Sequence, residues 1–309
     1  MKIVYMGTPD FAVPPLKRMK EEGYDIPLVV TQPDKPKNRG KKVLPTPVKV
    51  QAEEYGIPVL QPDSISDSSE LIQTLQEISP DLIVVAAYGK LLPKVLLSLP
   101  PLGCINIHAS LLPKYRGAAP IQHAVLSGDT ETGVTLMYMS EGMDEGDMIA
   151  KKTTPIERKT AGGLFDELAL LGASLLMEQL PSIKAGTADR IAQNNTLATY
   201  APKITKEHSL VDFCQKAVEI ECQIRAMNPR PGAYTLKEGT VMKLLSAEVG
   251  EGVADASPGR IKEVSKRGIL VAAGKGDLLI TRIQMPGKQA VDVSEYIKGN
   301  KIEIGTFLG

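Results

Sequence analysis

Cys104-Ile105-Asn106-Ile107-His108-Ala109-Ser110-Leu111-Leu112-Pro113-Lys114-Tyr115-Arg116-Gly117 starts as a strand and breaks at Ser110-Leu111-Leu112-Pro113. The strand is apolar except at Asn106 and His108, which are two residues apart. That spacing aims both side chains at one face of a strand. Two polar groups on one face of an apolar strand need hydrogen-bond partners or a chemical task. The strand alone leaves both readings open. The Pro113–Gly117 turn that follows adds backbone groups and cations beside them.

Upstream, short apolar runs alternate with helical stretches. Strands are expected at Ile3–Met6, Leu28–Gln32, Pro58–Leu60 and Leu82–Ala87. Helices are expected at Val13–Glu22, Val48–Tyr55, Glu70–Ile78 and, downstream, Pro120–Leu126. Continuous apolar strands separated by helices predict a mostly parallel, Rossmann-like sheet covered on both faces. Ligands of such sheets sit beyond the strand carboxyl ends, which is where Ser110–Pro113 falls. No GxGxxG is present, which disfavours a nicotinamide dinucleotide. Two more strands are expected at Val134–Met139 and Met148–Thr154, then a helix over Gly163–Ala185 with Leu164, Leu168, Leu171, Leu175 and Leu176 along one side.

Periodicity fades after Ala185. The polar stretch to Lys206, with Asn194-Asn195 and Pro202, reads as a linker. This predicts a first domain over 1–189, a linker over 190–206 and a second domain over 207–309. A helix is expected over Leu210–Met227. After Pro229-Arg230-Pro231-Gly232 come hairpin signals at Glu238-Gly239, Lys266-Arg267-Gly268 and Gly274-Lys275-Gly276, which predict a small β-barrel or sandwich.

Composition narrows the class. The 43% hydrophobic and 23% charged content of 309 residues suits a globular chain of two domains. No apolar run approaches a membrane span and no signal-peptide layout opens the chain, so a cytoplasmic protein that leaves membranes alone is expected. Cys104, Cys214 and Cys222 have no metal-ligand spacing. Residues 1–200 hold 20 Lys/Arg against 23 Asp/Glu, and residues 201–309 hold 16 against 13. The tail is therefore mildly basic, and that alone proves no nucleic-acid binding.

Met139-Ser-Glu141-Gly142-Met143-Asp144-Glu145-Gly146-Asp147 places Asp144 in a glycine-flanked loop between two strands. With no His or Cys cluster and no EF-hand spacing, no metal is expected there. Asn106-x-His108, Ser110-Leu-Leu-Pro-Lys-Tyr-Arg-Gly117 and Gly142-Met143-Asp144-x-Gly146 together resemble the signature of the folate-dependent formyltransferases. Met6-Gly7-Thr8-Pro9-Asp10-Phe11 and Ala87-Tyr88-Gly89-Lys90-Leu91-Leu92-Pro93 resemble the same family. Gln32-Pro33-Asp34 through Arg39-Gly40-Lys41-Lys42, the Pro45–Lys49 run and Ile224–Gly232 resemble its members that act on methionyl-initiator tRNA.

The resemblance covers nearly the whole chain. It implies an α/β formyltransferase domain with a C-terminal OB-like β-barrel domain, an architecture that often binds oligonucleotides. It implies transfer of a formyl group from 10-formyltetrahydrofolate to the amine of methionyl-initiator tRNA, with Asn106, His108 and Asp144 catalytic. Cofactor contacts are implied for Ser110, Leu111, Leu112 and Pro113 and for the apolar Tyr88, Leu91 and Leu92. The chemistry suits these residues. When an amine attacks a formyl carbon, Asn106 can donate to the developing oxyanion, worth about 3–4 kcal/mol for a positioned donor. Asp144 can pair with His108 and orient it, and either can relay the proton; which does so stays open.

Lys35-Pro-Lys37-Asn-Arg39-Gly-Lys41-Lys42 packs five cations into eight residues, with Pro36 and Gly40 opposing a helix. By itself this is a solvated loop. In the family's context Lys35, Lys37, Arg39, Lys41 and Lys42 are expected to grip tRNA phosphates. The chain departs from the family at His208–Phe213, where Phe213 stands for a usual Trp, and at Arg230, also a usual Trp. A monomer is expected. The rival readings are formyl transfer to a small amine such as glycinamide ribonucleotide or an amino-sugar nucleotide, hydrolysis of 10-formyltetrahydrofolate, and a catalytically silent RNA-binding protein. Acceptor assays separate them.

Overall fold

The computed structural model describes residues 1–37, 42–65, 68–250 and 257–309, with the main chain alone for Lys37 and Lys42. These form two compact units. The first is Met1–Pro120, Thr132–Thr154 and Phe165–Pro202; the second is Ile121–Glu131, Pro155–Leu164 and Lys203–Gly309.

In chain order come β1 (Lys2–Gly7), α1 (Val13–Glu21), β2 (Asp25–Val30), a hairpin of β3 (Lys35–Lys37) and β4 (Lys42–Leu44), α2 (Pro47–Glu54), β5 (Val59–Leu60), α3 (Ser69–Ile78), β6 (Leu82–Ala86), α4 (Lys94–Leu97) and β7 (Cys104–His108). Then follow α5 (Pro120–Leu126), β8 (Glu131–Tyr138), β9 (Met148–Pro155) and the long α6 (Ala161–Lys184). The helix starts have sequence causes. Pro47 opens α2 behind Thr46, whose side chain accepts from Lys49 N–H, and Ser68 caps α3 by accepting from Leu71 N–H.

Among the described residues the first unit holds a seven-stranded sheet in the order β5-β2-β1-β6-β7-β8-β9. The pairs from β5 through β7 are parallel, and β8 runs antiparallel to β7. This is the mostly parallel α/β sheet expected. The chain leaves β1 toward β2 on one side and β6 on the other, so the switch point lies between β1 and β6, beside β7. Ile3–Met6 and Leu82–Val85 are buried on both faces, as their unbroken apolar runs require. One core cluster joins Val4, Met6, Leu28, Val30, Ile83 and Val85 to Leu71, Leu75 and Leu96 of the covering helices. On the other side α6 comes unusually close to β7. A Cβ on Gly172 would lie 2.6 Å from Ile107 Cγ2, so only glycine lets the helix seat against the strand that carries Asn106 and His108.

In the second unit, α7 (Ala217–Met227) precedes β10 (Ala233–Lys237), β11 (Thr240–Gly250), β12 (Ile261–Ser265), β13 (Gly268–Ala272), β14 (Asp277–Gln284), β15 (Val291–Asp292) and α8 (Val293–Tyr296). The strands form an antiparallel sheet in the order β10-β11-β14-β13-β12, with β15 on β14. The helix expected over Leu210–Met227 begins only at Ala217. Val211 N–H instead donates to Tyr234 O, and Asp212 Oδ1 accepts from Cys214 N–H, closing a turn. Phe213 stays buried, while Arg230 is exposed. Glu221 of α7 is buried and bonded by Arg225 Nε at 2.8 Å, with Arg158 at 3.5 Å.

The stretch expected as a linker divides. Its residues up to Pro202 belong to the first unit. Ile191 bridges Met148, and Arg116 N–H donates to Thr199 O while Ala201 N–H donates to Arg116 O. Its polar side chains had hidden this because the attachment is through main-chain hydrogen bonds, which leave no hydrophobic period.

Candidate active site

The site begins at the carboxyl end of β7. Asn106 pairs in register with Val85 on β6 and Met137 on β8. It is half-buried, and its amide makes no hydrogen bond to the described residues. His108 is 5% exposed. Its Nε2 lies 2.9 Å from the Tyr115 carbonyl. A carbonyl only accepts, so Nε2 carries the proton and the ring orientation is set. Nδ1 then faces Asp144 Oδ2 at 3.6 Å. The turn after β7 therefore folds back through Tyr115 to hold the histidine of its own strand.

Asp144 sits on the loop between β8 and β9 with φ +52°. A non-glycine residue in this region costs about 1–3 kcal/mol and persists only where its surroundings hold it. Two contacts do so. Gly117 N–H donates to Asp144 Oδ2 at 2.8 Å, and Gln193 Nε2 donates to Asp144 O at 2.8 Å. A second Gln193 bond reaches Gly146 O at 2.9 Å. Gly146 is required because a Cβ there would overlap the Tyr138 carbonyl.

Arg116 is 2% exposed, with its charge inside the first unit. Its Nε and Nη2 donate to Gln193 Oε1 at 3.0 and 2.8 Å, and Nη2 also donates to Asn195 Oδ1 at 2.8 Å. Glu145 Oε2 lies 3.7 Å from Nη1. A buried charge needs such partners. Gln193 and Asn195 were not foreseen as site residues. Their one sequence trace was polarity, which had suggested a linker.

The expected folate-contacting residues fall in two loops that leave adjacent parallel strands, β6 and β7. In the first, Leu91 is 55% exposed, while Leu92 is buried. Both line a cleft of about 440 Å3 with Asp63, Ile65, Lys90 and Pro93. The Tyr88 ring lies in the core cluster, so it shapes this loop from behind. Its hydroxyl has no hydrogen-bond partner among the described residues, and burial pushes its pKa up to about 12. Tyr88 O accepts from Gln32 Nε2 at 2.7 Å and Thr8 Oγ1 at 3.2 Å, lacing the loops after β1, β2 and β6 together.

In the second loop, Leu111 and Pro113 are half-buried, and Ser110 and Leu112 are buried. Thr135 of β8 stitches this turn. Its hydroxyl donates to Ser110 O at 2.7 Å and accepts from Leu112 N–H at 3.1 Å. Lys151 Nζ donates to Leu112 O, and desolvation lowers that lysine's pKa. Thr135 was missed because nothing distinguishes one threonine within an apolar strand.

Of the basic stretch, Lys35 is exposed on the β3–β4 hairpin, and its Nζ donates to Gln32 Oε1 at 3.1 Å. Arg39 and Lys41, and the side chains of Lys37 and Lys42, lie outside the described residues. The hairpin's base is held by Asp34, which accepts from Lys49 Nζ and Gln61 Nε2, each at 2.7 Å. Among the described residues, no group of three or more His, Cys, Asp or Glu side chains is placed to hold a metal ion, and no helix is long and apolar enough to cross a membrane.

An amide donor, a carboxylate-paired histidine and two loops at a sheet's carboxyl edge are an arrangement that can serve acyl-type transfer. Residues 1–180 match the formyl transferase family, and residues 203–301 match the formyl transferase C-terminal domain. The chain belongs to the formyl transferase family. It is 49% identical to the methionyl-tRNA formyltransferase of Desulforamulus reducens, over 100% of this chain and 98% of that one. Among solved structures it resembles WlaRD, a sugar 3N-formyl transferase determined with dTDP and 5-N-formyl-THF, at 21% identity and TM-score 0.68, over 94% and 99% of the two chains. It also resembles HypX from Aquifex aeolicus in complex with tetrahydrofolic acid, at 17% identity and TM-score 0.65, over 99% of this chain and 51% of that one. These two likenesses concern the fold.

Proposed function

We propose that this protein transfers the formyl group of 10-formyltetrahydrofolate to the amino group of methionyl-initiator tRNA. The observation that carries the reading is the grouping of Asn106, His108 and Asp144 at one sheet edge, in a chain 49% identical along its length to a methionyl-tRNA formyltransferase. The folate substrate supplies an activated formyl carbon. Asn106, with its amide uncommitted, donates to the formyl oxygen as negative charge builds on it. His108 keeps Nε2–H on Tyr115 O, so the ring atom that takes the proton from the attacking amine is Nδ1, directly or through one water, and the proton is returned to the folate nitrogen as its bond to the formyl carbon breaks. Asp144 stabilises the charge that Nδ1 acquires.

The flat, amide-like ring of the folate suits the two loops after β6 and β7. Exposed Leu91 supplies an apolar wall, and the Ser110–Pro113 turn supplies main-chain groups. Catalysis is assigned to the first unit. The cations Lys35, Lys37, Arg39, Lys41 and Lys42 of the basic stretch grip tRNA phosphates, and the C-terminal strands act as an OB-like platform for the same ligand. The protein works as a cytoplasmic monomer without a metal.

The test is a formyl-transfer assay from 10-formyltetrahydrofolate with charged initiator tRNA, charged elongator methionine tRNA, glycinamide ribonucleotide and water as competing acceptors. Efficient transfer to the initiator alone is expected. Transfer only to a small amine or to water would keep the site but overturn the acceptor.

A further inference from the structure

The side-chain amide of Gln193 has every polar position committed, and its orientation is forced. Nε2 faces two carbonyls, of Asp144 and Gly146, which can only accept. Oε1 faces the Nε and Nη2 of Arg116, which can only donate. Arg116 is almost fully buried, so its guanidinium is a fixed post rather than a mobile surface charge. On its other flank it takes Asn195 Oδ1. Between this post and the Asp144 loop the Gln193 amide makes the hydrogen-bonded link, beside the looser 3.7 Å approach of Glu145 Oε2 to Arg116 Nη1. Asp144 itself holds a left-handed backbone that needs outside support. Its carboxylate must stay on Gly117 N–H and opposite His108 Nδ1 to act.

We infer that Gln193, braced by Arg116, is a positioning residue that sets the Asp144 carboxylate against His108. The inference rests on the catalytic reading of Asp144 given above. The brace touches neither the reacting atoms nor the His108 ring. It fixes the backbone from which the Asp144 side chain projects, and a displacement of about 1 Å at such a point can cost about 100-fold in rate.

The test uses Gln193→Glu in the full-length protein. Glutamate has the same shape and keeps an acceptor on Arg116. It replaces the amide donor with an oxygen that repels the carbonyls of Asp144 and Gly146. Three readouts are taken together. Hydrogen exchange at the Gly117 amide, whose N–H reports the Asp144 carboxylate, is expected to speed up at least about tenfold while the amides of β1 stay protected. With charged tRNA, kcat is expected to fall about 100-fold with the KM for both substrates little changed. In an Asp144→Asn background, Gln193→Glu is expected to lower kcat no further, because the two act as a unit.

Gly117 exchange at the native rate in Gln193→Glu would overturn the inference whatever the activity. So would full additivity with Asp144→Asn, which would mark a merely structural residue. Should Gln193→Glu unfold, Gln193→Met, which removes both the donors to the Asp144 loop and the acceptor of Arg116 without adding charge, carries the same three expectations. Failure of the catalytic reading shows differently, as Asp144→Asn turning over at the wild-type rate while the Gly117 amide still responds to Gln193.

Discussion

The two sides of the site are held by different forces. On one side, Asn106 and His108 project from β7, a central strand with Ile107 locked beneath Gly172 of α6. On the other, Asp144 hangs on a loop between β8 and β9 and is steadied by hydrogen bonds from Gly117 and Gln193. Close packing fixes the strand, and polar contacts fix the loop. Close packing is nonlocal and tolerates little change in volume. A hydrogen-bonded brace tolerates volume but not a change of donor for acceptor. Damage to the packing that holds the first side should therefore appear as lost stability, and damage to the hydrogen bonds that hold the second as lost rate in a folded protein.

His108→Ala should give the largest effect and sharpen the contrast, because it removes chemistry from the packed side without touching the helix contact. A fall in kcat of about 10²–10⁴-fold is expected for loss of a proton-transferring group, read by single-turnover formyl transfer. Normal turnover would remove His108 from the mechanism. Gly172→Val should break the strand side. Its branches have no room against Ile107 Cγ2, so overpacking should destabilise the protein by about 1–3 kcal/mol. A shift in the urea midpoint measures this, and an unchanged midpoint would show that α6 can lift off β7 at no cost.

Thr135→Val lies between the two sides. It leaves Ser110 O and Leu112 N–H without their shared partner. The loss should be about 1–3 kcal/mol, because Ser110, Leu112 and Thr135 are fully buried and the orphaned groups stay away from water. The folate KM should rise more than kcat falls. The smallest effect is expected at Asp34, which contacts neither side. The Lys49 hydrogen bond, and after it that of Gln61, holds this carboxyl below its usual value of 3.8 against an opposing desolvation. A depressed folded-state pKa stabilises fully above 3.8 and fades as pH falls through the lowered value. Asp34→Asn should therefore cost about 0.2–1 kcal/mol at neutral pH and nothing once the wild-type carboxyl is protonated. A pH series of thermal melts follows this, and an unchanged gap at low pH would refute the linkage.

The strand side was legible in the sequence, and most of the loop side was not. Unbroken apolar runs at Ile3–Met6 and Leu82–Ala87 have one physical use, a sheet buried on both faces. That placed the end of β7 at the ligand edge. Asn106 and His108 then stood out as polar residues in an apolar run. Asp144 was visible through its flanking glycines. Gln193 and Asn195 were not, since a polar side chain that bonds to buried main chain looks in sequence like one that faces water. Leu210–Phe213 failed for a related reason. Their apolar residues fit a helix period as well as an extended segment, and hydrogen bonds to Tyr234 and within the Asp212 turn decided between them. Tyr88 was expected among the folate-contacting residues; its side chain is 1% exposed, and its loop is shaped by the core beneath it.

The attachment of residues 190–202 to the first unit has a consequence for synthesis. A nascent chain that has emerged only as far as the end of α6 already holds Asn106, His108 and Asp144, together with the whole seven-stranded sheet. It still lacks Gln193 and Asn195, whose side chains accept from the Arg116 guanidinium. Until they arrive the buried guanidinium has lost its main acceptors and the Asp144 backbone its brace. On the proposed roles of these residues, completion of the site is timed to the final dozen residues of the unit, and a chain cut where the hydrophobic period stops is expected to carry the sheet without its brace.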